Sequence, residues 1–204
     1  MPVVVIRGNA DLRRAFRQFA PDLEKTLKSE LTRALKPVAK AARGFVPSQS
    51  EMMRGWQPRS FSEARFPFWN TKTAISGIGY SVSPSKMNKN GFSSMARVFN
   101  KSAVGAIYET AGRKNPDGQP WVGPKAGGVS HKVSRSNNPR AGAQFIQNMS
   151  PLVSSLQGRG RLIYRAWRDA KHDPMGIAMR AVDDATTEFY KRAQTSYSSF
   201  NKAA

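Results

Sequence analysis

Residues 11–44, DLRRAFRQFAPDLEKTLKSELTRALKPVAKAARG, carry the clearest periodic pattern in the chain. Apolar residues recur at every third or fourth position, which is the repeat of one face of an α-helix. They are Leu12, Phe16, Phe19, Leu23, Leu27, Leu31, Leu35, Val38 and Ala42. Asp11 is a suitable N-cap, and Gly44 and Pro47 end the pattern. The spacing predicts a long amphipathic helix over 11–43, divided near Pro21 and kinked at Pro37.

A second helix is predicted near the other end of the chain. Asp173-Pro174 combines an N-cap residue with proline at the first helical position. An apolar stripe follows, formed by Met175, Ala178, Met179, Val182, Ala185, Phe189 and Ala193. We therefore expect a helix over 174–195 and a flexible tail over 196–204.

The segments between these helices read mainly as short strands. Val3–Ile6 is a β-branched run closed by Gly8, which predicts a strand and a turn. Strands are also predicted over Thr71–Val82, with irregularities at its glycines, and over Met95–Phe99. The pattern leaves strand and helix open for Val104–Glu109 and Arg161–Trp167, and it leaves an irregular segment or a hairpin open for 48–70.

These elements predict an α+β fold in which a small, mainly antiparallel sheet packs against the N-terminal and C-terminal helices. Residues 1–111 and 143–195 are expected to form a single domain. Between them, residues 112–142 are rich in glycine, proline, asparagine, serine and basic residues. A segment of this length without regular structure suggests an extended basic arm that becomes ordered on a neighbouring subunit, or a solvated loop.

The strongest compositional signal is positive charge. The 204 residues contain 33 Lys+Arg and 13 Asp+Glu, for a formal net charge of +20. Residues 51–150 contribute half of the excess, with 14 basic and 4 acidic side chains. Such a field attracts polyanions, of which nucleic-acid phosphates are the commonest in a cytoplasm, and it equally suits acidic protein partners.

Several functional classes receive no support from the sequence. The chain has no cysteine, which excludes disulfides and thiolate metal sites. His131 and His172 belong to no metal-ligand pattern, and Asp183-Asp184 are helical neighbours that point in different directions. Phosphate-binding loops and nucleophile motifs are missing, so we expect neither catalysis nor a cofactor. No apolar run is long enough for a membrane span, and Met1–Arg7 lacks the features of a signal peptide.

The basic segment supplies the candidate contact residues. Its cations are Arg113, Lys114, Lys125, Lys132, Arg135 and Arg140. They are candidates for contacts with DNA phosphates or with another protein, and small and amide residues surround them. Trp121, in Pro120-Trp121-Val122-Gly123-Pro124, is the one large aromatic of the segment and the candidate anchor for assembly.

Three blocks resemble the tail-completion or head–tail joining family of long-tailed phages. The opening Val4-Val5-Ile6-Arg7-Gly8-Asn9-Ala10-Asp11-Leu12, followed by a long helix, is similar to the start of the family. Ala106-Ile107-Tyr108-Glu109-Thr110-Ala111-Gly112 resembles its central block, where an apolar strand leads into a glutamate and then a glycine. Asn115-Pro116-Asp117-Gly118 and the closing helix resemble its last loop and helix. An additional residue between Glu109 and Gly112 and the longer loop after Gly112 depart from the family pattern.

The resemblance implies a structural virion protein of the head–tail connector, without enzymatic activity. It implies a homo-oligomeric ring, a hexamer, that contacts neighbouring junction and tail proteins and encloses phage DNA in its channel. Completion protein, stopper and terminator ring remain open as its position in the neck or upper tail. The protein would be assembled in the host cytoplasm and incorporated into the virion. The alternative is a stand-alone, non-specific nucleic-acid-binding protein, whose affinity would fall steeply with salt.

Overall fold

The fold is described from a computed structural model that covers residues 3–8, 10–48, 67–86, 89, 93–125 and 132–203. The predictions for 49–66 and for His131 lie outside these residues. The order of elements is that of an α+β protein, which confirms the predicted fold class. No helix in the described ranges has the length and apolarity needed to span a membrane.

The predicted N-terminal helix is two helices, α1 (Ala10–Phe19) and α2 (Pro21–Gly44). The division falls at the predicted place, because proline lacks a backbone N–H but suits the first turn of a new helix. Pro37 lies within α2. The apolar stripe is buried as predicted at Phe16, Leu23, Leu27, Leu31, Leu35, Val38 and Ala42.

Phe19 is a correction to that stripe, since 70% of its surface is exposed. It is the last residue of α1, and the stripe resumes on α2 after the break at Ala20. A straight-helix periodicity no longer places side chains correctly across such a break.

The C-terminal helix, α7, spans Pro174–Ala203 and so continues through most of the residues predicted as a tail. Asp173 caps it as predicted, because its Oδ1 accepts a hydrogen bond from the Gly176 N–H at 3.1 Å. Ala178 and Ala185 are buried, whereas Met179 is 49% exposed and therefore lies outside the buried stripe. The Phe189 ring packs against Phe16 with centroids 5.2 Å apart, which places α7 against α1.

Three strands form one sheet in the order β1-β3-β2, where β1 is Val3–Gly8, β2 is Ile78–Ser81 and β3 is Ser93–Asn100. The strands predicted over Val3–Ile6 and Met95–Phe99 are confirmed within β1 and β3. Met95 and Val98 are buried.

The prediction of a single strand over Thr71–Val82 is wrong for its first half. Residues Thr71–Gly77 form helix α3, and only then does β2 begin. The Asn70 side chain accepts a hydrogen bond from the Thr73 N–H at 2.8 Å. This N-cap favours a helix despite the β-prone residues that follow.

The remaining elements are short. They are α4 (Ala103–Thr110), α5 (Ala141–Gln147), β4 (Val153–Ser155), β5 (Gly158–Gly160) and α6 (Ile163–Arg168). Strands β4 and β5 form an antiparallel hairpin. The two segments for which the sequence left strand and helix open, Val104–Glu109 and Arg161–Trp167, thus both contain helices. The central block of the family resemblance is therefore helical rather than extended.

The chain divides into two compact units, where a single domain is the prediction from sequence. Unit 1 comprises the described residues of Ala41–Gly79 and Phe99–Asp169. Unit 2 comprises Val3–Lys40, Tyr80–Val98 and Ala170–Ala204. The segment predicted as an arm belongs to unit 1, and the helices α1 and α7 to unit 2.

Candidate binding cleft

The end of α4 carries a buried acid. Glu109 is fully buried, and its carboxylate accepts hydrogen bonds from the backbone N–H groups of Arg161 (3.2 Å), Leu162 and Tyr164 (3.1 Å). These groups lie where α6 begins, and the first N–H groups of a helix have no partner inside it. Leu162, at the N-cap position, makes no side-chain cap. Glu109 therefore caps α6 from a distant part of the sequence.

Gly160 leaves the space that this carboxylate occupies. A Cβ at this position would lie 2.6 Å from the Glu109 carboxyl carbon and 2.7 Å from the Tyr164 ring. Both distances are shorter than real Cβ contacts allow. Glycine is therefore required at the end of β5 for the acid to reach α6.

Arg161 makes the converse contact, from the start of α6 back to the end of α4. It is 2% exposed, and its Nη1 donates to the main-chain oxygens of Tyr108 (2.9 Å) and Ala111 (2.7 Å). Its Nε donates to the Ser150 oxygen. Carbonyls at a helix end lack partners in the same way as the first N–H groups. We call Glu109, Gly160 and Arg161 the α4–α6 clasp.

The electrostatics of the clasp follow from its burial. Desolvation raises the pKa of Glu109 above its usual value, while the three backbone N–H groups and the charge of Arg113 act in the opposite direction. Desolvation likewise lowers the pKa of Arg161. Both oxygens of Glu109 are engaged with backbone, so the acid has a structural role.

A cleft of about 1010 Å³ opens beside the clasp, between the turn after α4, the returning half of the 112–142 segment and α5. Two cations contribute to its lining, Arg113 and Lys114. Apolar side chains also line it, namely Val133, Phe145 and Ile146. The polar lining consists of hydroxyl and amide groups, from Thr110, Asn115, Gln119, Ser134 and Ser136.

Arg113 joins the cleft to the clasp. Its guanidinium carbon lies 4.6 Å from the centroid of the Tyr164 ring, in a cation–π arrangement. Its Nε and Nη2 are buried and have no hydrogen-bond acceptor among the residues that the structure describes. The guanidinium of Arg113 is thus positioned by its contact with the Tyr164 ring. The side chain of Lys114, in contrast, is exposed to solvent.

The walls of the cleft are fixed by contacts inside the 112–142 segment. Gly118 has φ +81°, and a Cβ there would lie 2.5 Å from the Gly142 Cα, so the turn closes directly on the start of α5. The backbone of Ser134 bonds to Val122 (3.0 Å) and Pro120 (2.7 Å). Trp121 Nε1 donates to the Ser136 oxygen at 2.7 Å. The described part of the segment therefore folds back on itself within unit 1.

The structure separates the six basic residues predicted as contacts. Only Arg113 and Lys114 line the cleft. Lys125, Lys132 and Arg140 are exposed elsewhere on the segment, and Arg135 is half-buried. Whether any of them contacts DNA or another subunit remains a prediction.

Trp121 is 45% exposed and the adjacent Val122 is 44% exposed. The sequence reasoning missed the apolar side chains of the cleft. The sequence signal for them is the apolar pair Phe145-Ile146 just beyond the polar segment.

No metal site is found within the described ranges, where no three His, Asp or Glu side chains form a group that could hold an ion. The half-buried His172 lies in unit 2, and its Nε2 is 3.0 Å from the Ala34 main-chain oxygen. Comparisons with protein-family models, with curated proteins and with solved structures gave no match.

Proposed function

We propose that this chain is a structural virion protein of a tailed phage, a head–tail connector subunit that joins the DNA-filled head to the tail. In this role it acts through complementary surfaces and without catalysis. It forms a homo-oligomeric ring at the neck or upper tail, after assembly in the host cytoplasm. The sequence resemblance described above motivates the proposal.

The observation that carries the proposal is the presentation of Trp121. An indole that is nearly half exposed, next to an exposed valine, is held by backbone hydrogen bonds and by its own Nε1. Exposed cations, Lys125 and Lys132, lie on the same segment. Ordered aromatic anchors surrounded by a polar, solvent-accessible rim are typical of protein–protein interfaces.

The clasp gives the central block of the resemblance a physical role. Glu109 and Gly112 are the glutamate and glycine of that block, and the block forms α4 and its C-terminal turn. Glu109 fixes this helix to α6, and Gly112 has φ +81°. A rigid base for the segment that carries Trp121 supports a role in assembly.

The test is the mass of the purified protein in solution, measured by light scattering, for the wild type and for Trp121→Ser. We expect a discrete ring for the wild type and a smaller species for the variant. Phe68→Ser is the matched control, because Phe68 is 47% exposed and belongs to the same unit. A ring that survives Trp121→Ser, or equal disruption by both variants, would contradict the role given to Trp121.

A point substitution is preferable to removal of residues 113–140. The sequence alone predicts that such a deletion leaves a folded monomer that cannot assemble. In the structure, however, Arg113 packs on Tyr164 and Gly118 closes on Gly142. The deletion would therefore damage unit 1 and would confuse misfolding with loss of assembly.

Non-specific nucleic-acid binding is the second candidate, favoured by the exposure of Lys114, Lys125, Lys132 and Arg140. Binding to short duplex DNA would then weaken linearly with the logarithm of salt concentration, because each neutralised phosphate releases counterions. A monomer that coats DNA in this way and forms no ring would favour this candidate over the connector.

A further inference from the structure

We infer that the cleft of unit 1 is a binding site for an acidic, partly apolar peptide segment of a partner protein. That this partner is a neighbouring protein of the phage junction rests on the proposed function. The peptide chemistry rests on the cleft alone.

The size of the cleft suits several side chains rather than one. Pockets for small ligands enclose roughly 300–1,000 Å³, and this cleft encloses about 1010 Å³. Its walls are closed by direct backbone contacts, including that of Gly118 with Gly142 and the bonds of Ser134. Preformed walls reduce the ordering that a ligand must bring about on binding.

The charge of the cleft selects an anion. Arg113 and Lys114 line it, and no acidic side chain in the described part of the chain does. The nearby Glu109 is fully buried and engaged with the backbone of α6. The remaining cations of the segment lie outside the cleft and add long-range attraction of the same sign. A carboxylate-bearing ligand is therefore the complementary one.

The apolar part of the lining distinguishes a peptide from duplex DNA. Val133, Phe145 and Ile146 line a concave surface. A duplex presents its phosphates on a convex surface, whereas its apolar thymine methyl groups lie inside the major groove. A peptide can place carboxylates near Lys114 and apolar side chains against Phe145 and Ile146. The hydroxyl and amide groups of Asn115, Gln119 and Ser136 can bond to its main chain.

The test uses a fluorescently labelled short peptide in which aspartate and leucine alternate, and a matched peptide in which asparagine replaces aspartate. Binding to the full chain is followed by fluorescence anisotropy at moderate salt. We expect the aspartate peptide to bind about tenfold more tightly, the effect of one charge-assisted contact. Equal binding of the two peptides would overturn the inference.

Variants then locate the site. Lys114→Glu should weaken the aspartate peptide about tenfold, and Lys125→Glu, an exposed lysine of the same segment outside the cleft lining, less than about twofold. Ala141→Leu, which fills part of the cleft without changing charge, should also weaken binding. Equal effects of the two lysine variants would show attraction to net charge only and would overturn the site. Circular dichroism spectra of each variant, compared with that of the wild type, serve as the control for correct folding.

Duplex DNA is the competing ligand. If DNA displaces the peptide, and if its own binding falls for Lys114→Glu and Ala141→Leu but not for Lys125→Glu, the cleft is a nucleic-acid site and the inference is wrong. If peptide binding fails while Trp121→Ser still disrupts the ring, the cleft inference falls and the connector proposal stands. If the peptide binds but the wild-type protein forms no ring, the cleft inference stands and the connector proposal is wrong.

Discussion

Glu24 in unit 2 and Glu109 in unit 1 are both buried carboxyl groups, but they have different partners. Glu24 meets the buried guanidinium of Arg13 at 2.7 Å, and Lys28 approaches it at 3.3 Å. Glu109 accepts hydrogen bonds from three backbone N–H groups at the start of α6. The buried guanidinium near it, Arg161, donates to main-chain oxygens.

The pKa values of the two acids shift in opposite directions for this reason. Burial raises both, but at Glu24 the hydrogen bond and the charge of Arg13 reverse this and hold the pKa below its usual value. At Glu109 the desolvation exceeds the effect of the N–H groups, and the pKa is raised. Of these two buried acids, only Glu24 has a cation in direct contact with its carboxylate, and only its pKa is lowered.

The largest expected effect is that of removing each carboxylate. Glu109→Ala leaves three backbone N–H groups of unit 1 buried without acceptors and should lower its free energy of unfolding by about 4 kcal/mol. Glu24→Ala should lower the free energy of unfolding of unit 2 by about 2 kcal/mol. The loss is smaller because the Arg13 guanidinium still donates hydrogen bonds to the main-chain oxygens of Val82 and Met95. Tryptophan emission in urea follows unit 1, which contains the described tryptophans Trp69, Trp121 and Trp167, and hydrogen exchange follows unit 2. Equal losses would contradict the comparison.

Double-mutant cycles test more directly whether the partner of each buried acid is a side chain or the backbone. Arg13→Met combined with Glu24→Gln should show a coupling energy of about 2 kcal/mol, since the two side chains are direct partners. Arg161→Met combined with Glu109→Gln should show less than about 1 kcal/mol, since each side chain binds backbone. Coupling of similar size in both units would mean that the clasp acts as an ion pair.

The stability of the two units should change with pH in opposite directions, and these changes should be smaller than the effects of the substitutions above. The pKa of Glu24 is lowered on folding, so its contribution to unit 2 is present above the unfolded pKa, near 4.5, and is lost as pH falls through the folded value. The pKa of Glu109 is raised, so its contribution to unit 1 is present below the unfolded value and is lost as pH rises through the folded one. Urea unfolding and hydrogen exchange between about pH 3 and pH 7 measure both, and Glu109→Gln should flatten the profile of unit 1. A parallel profile in the two units would refute the assignment.

The smallest effect is expected at the two exposed ion pairs of Arg192 in unit 2. Arg192 lies 2.7 Å from Asp22 and 3.0 Å from Glu188, and the three side chains are between 44% and 60% exposed. Arg192→Met should leave the stability of unit 2 unchanged within error, because solvent screens such pairs. Arg13→Met, measured by the same hydrogen exchange, is the buried counterpart. A clear loss for Arg192→Met would mean that the contact between α7 and α2 depends on charge.

The long helices could be predicted from sequence because their signals are local. The apolar repeat of α2, the break at Pro21 and the cap at Asp173 each depend on residues a few positions apart. The strand predicted at Thr71 was wrong because the cap at Asn70 outweighed the β-prone residues after it. The sequence also drew attention to 112–142 by its charge, and Arg113 and Lys114 of that segment line the cleft.

The sequence by itself determined the α+β class, the two helical faces and the positive charge, since periodicity and composition are properties of neighbouring residues. Only the tertiary structure decided the role of Glu109, because its partners lie 52 to 55 positions away in the chain. It also decided which cations share a concave surface with Phe145 and Ile146. Pairing across such distances is set by how short elements pack, and local pattern carries no record of that packing.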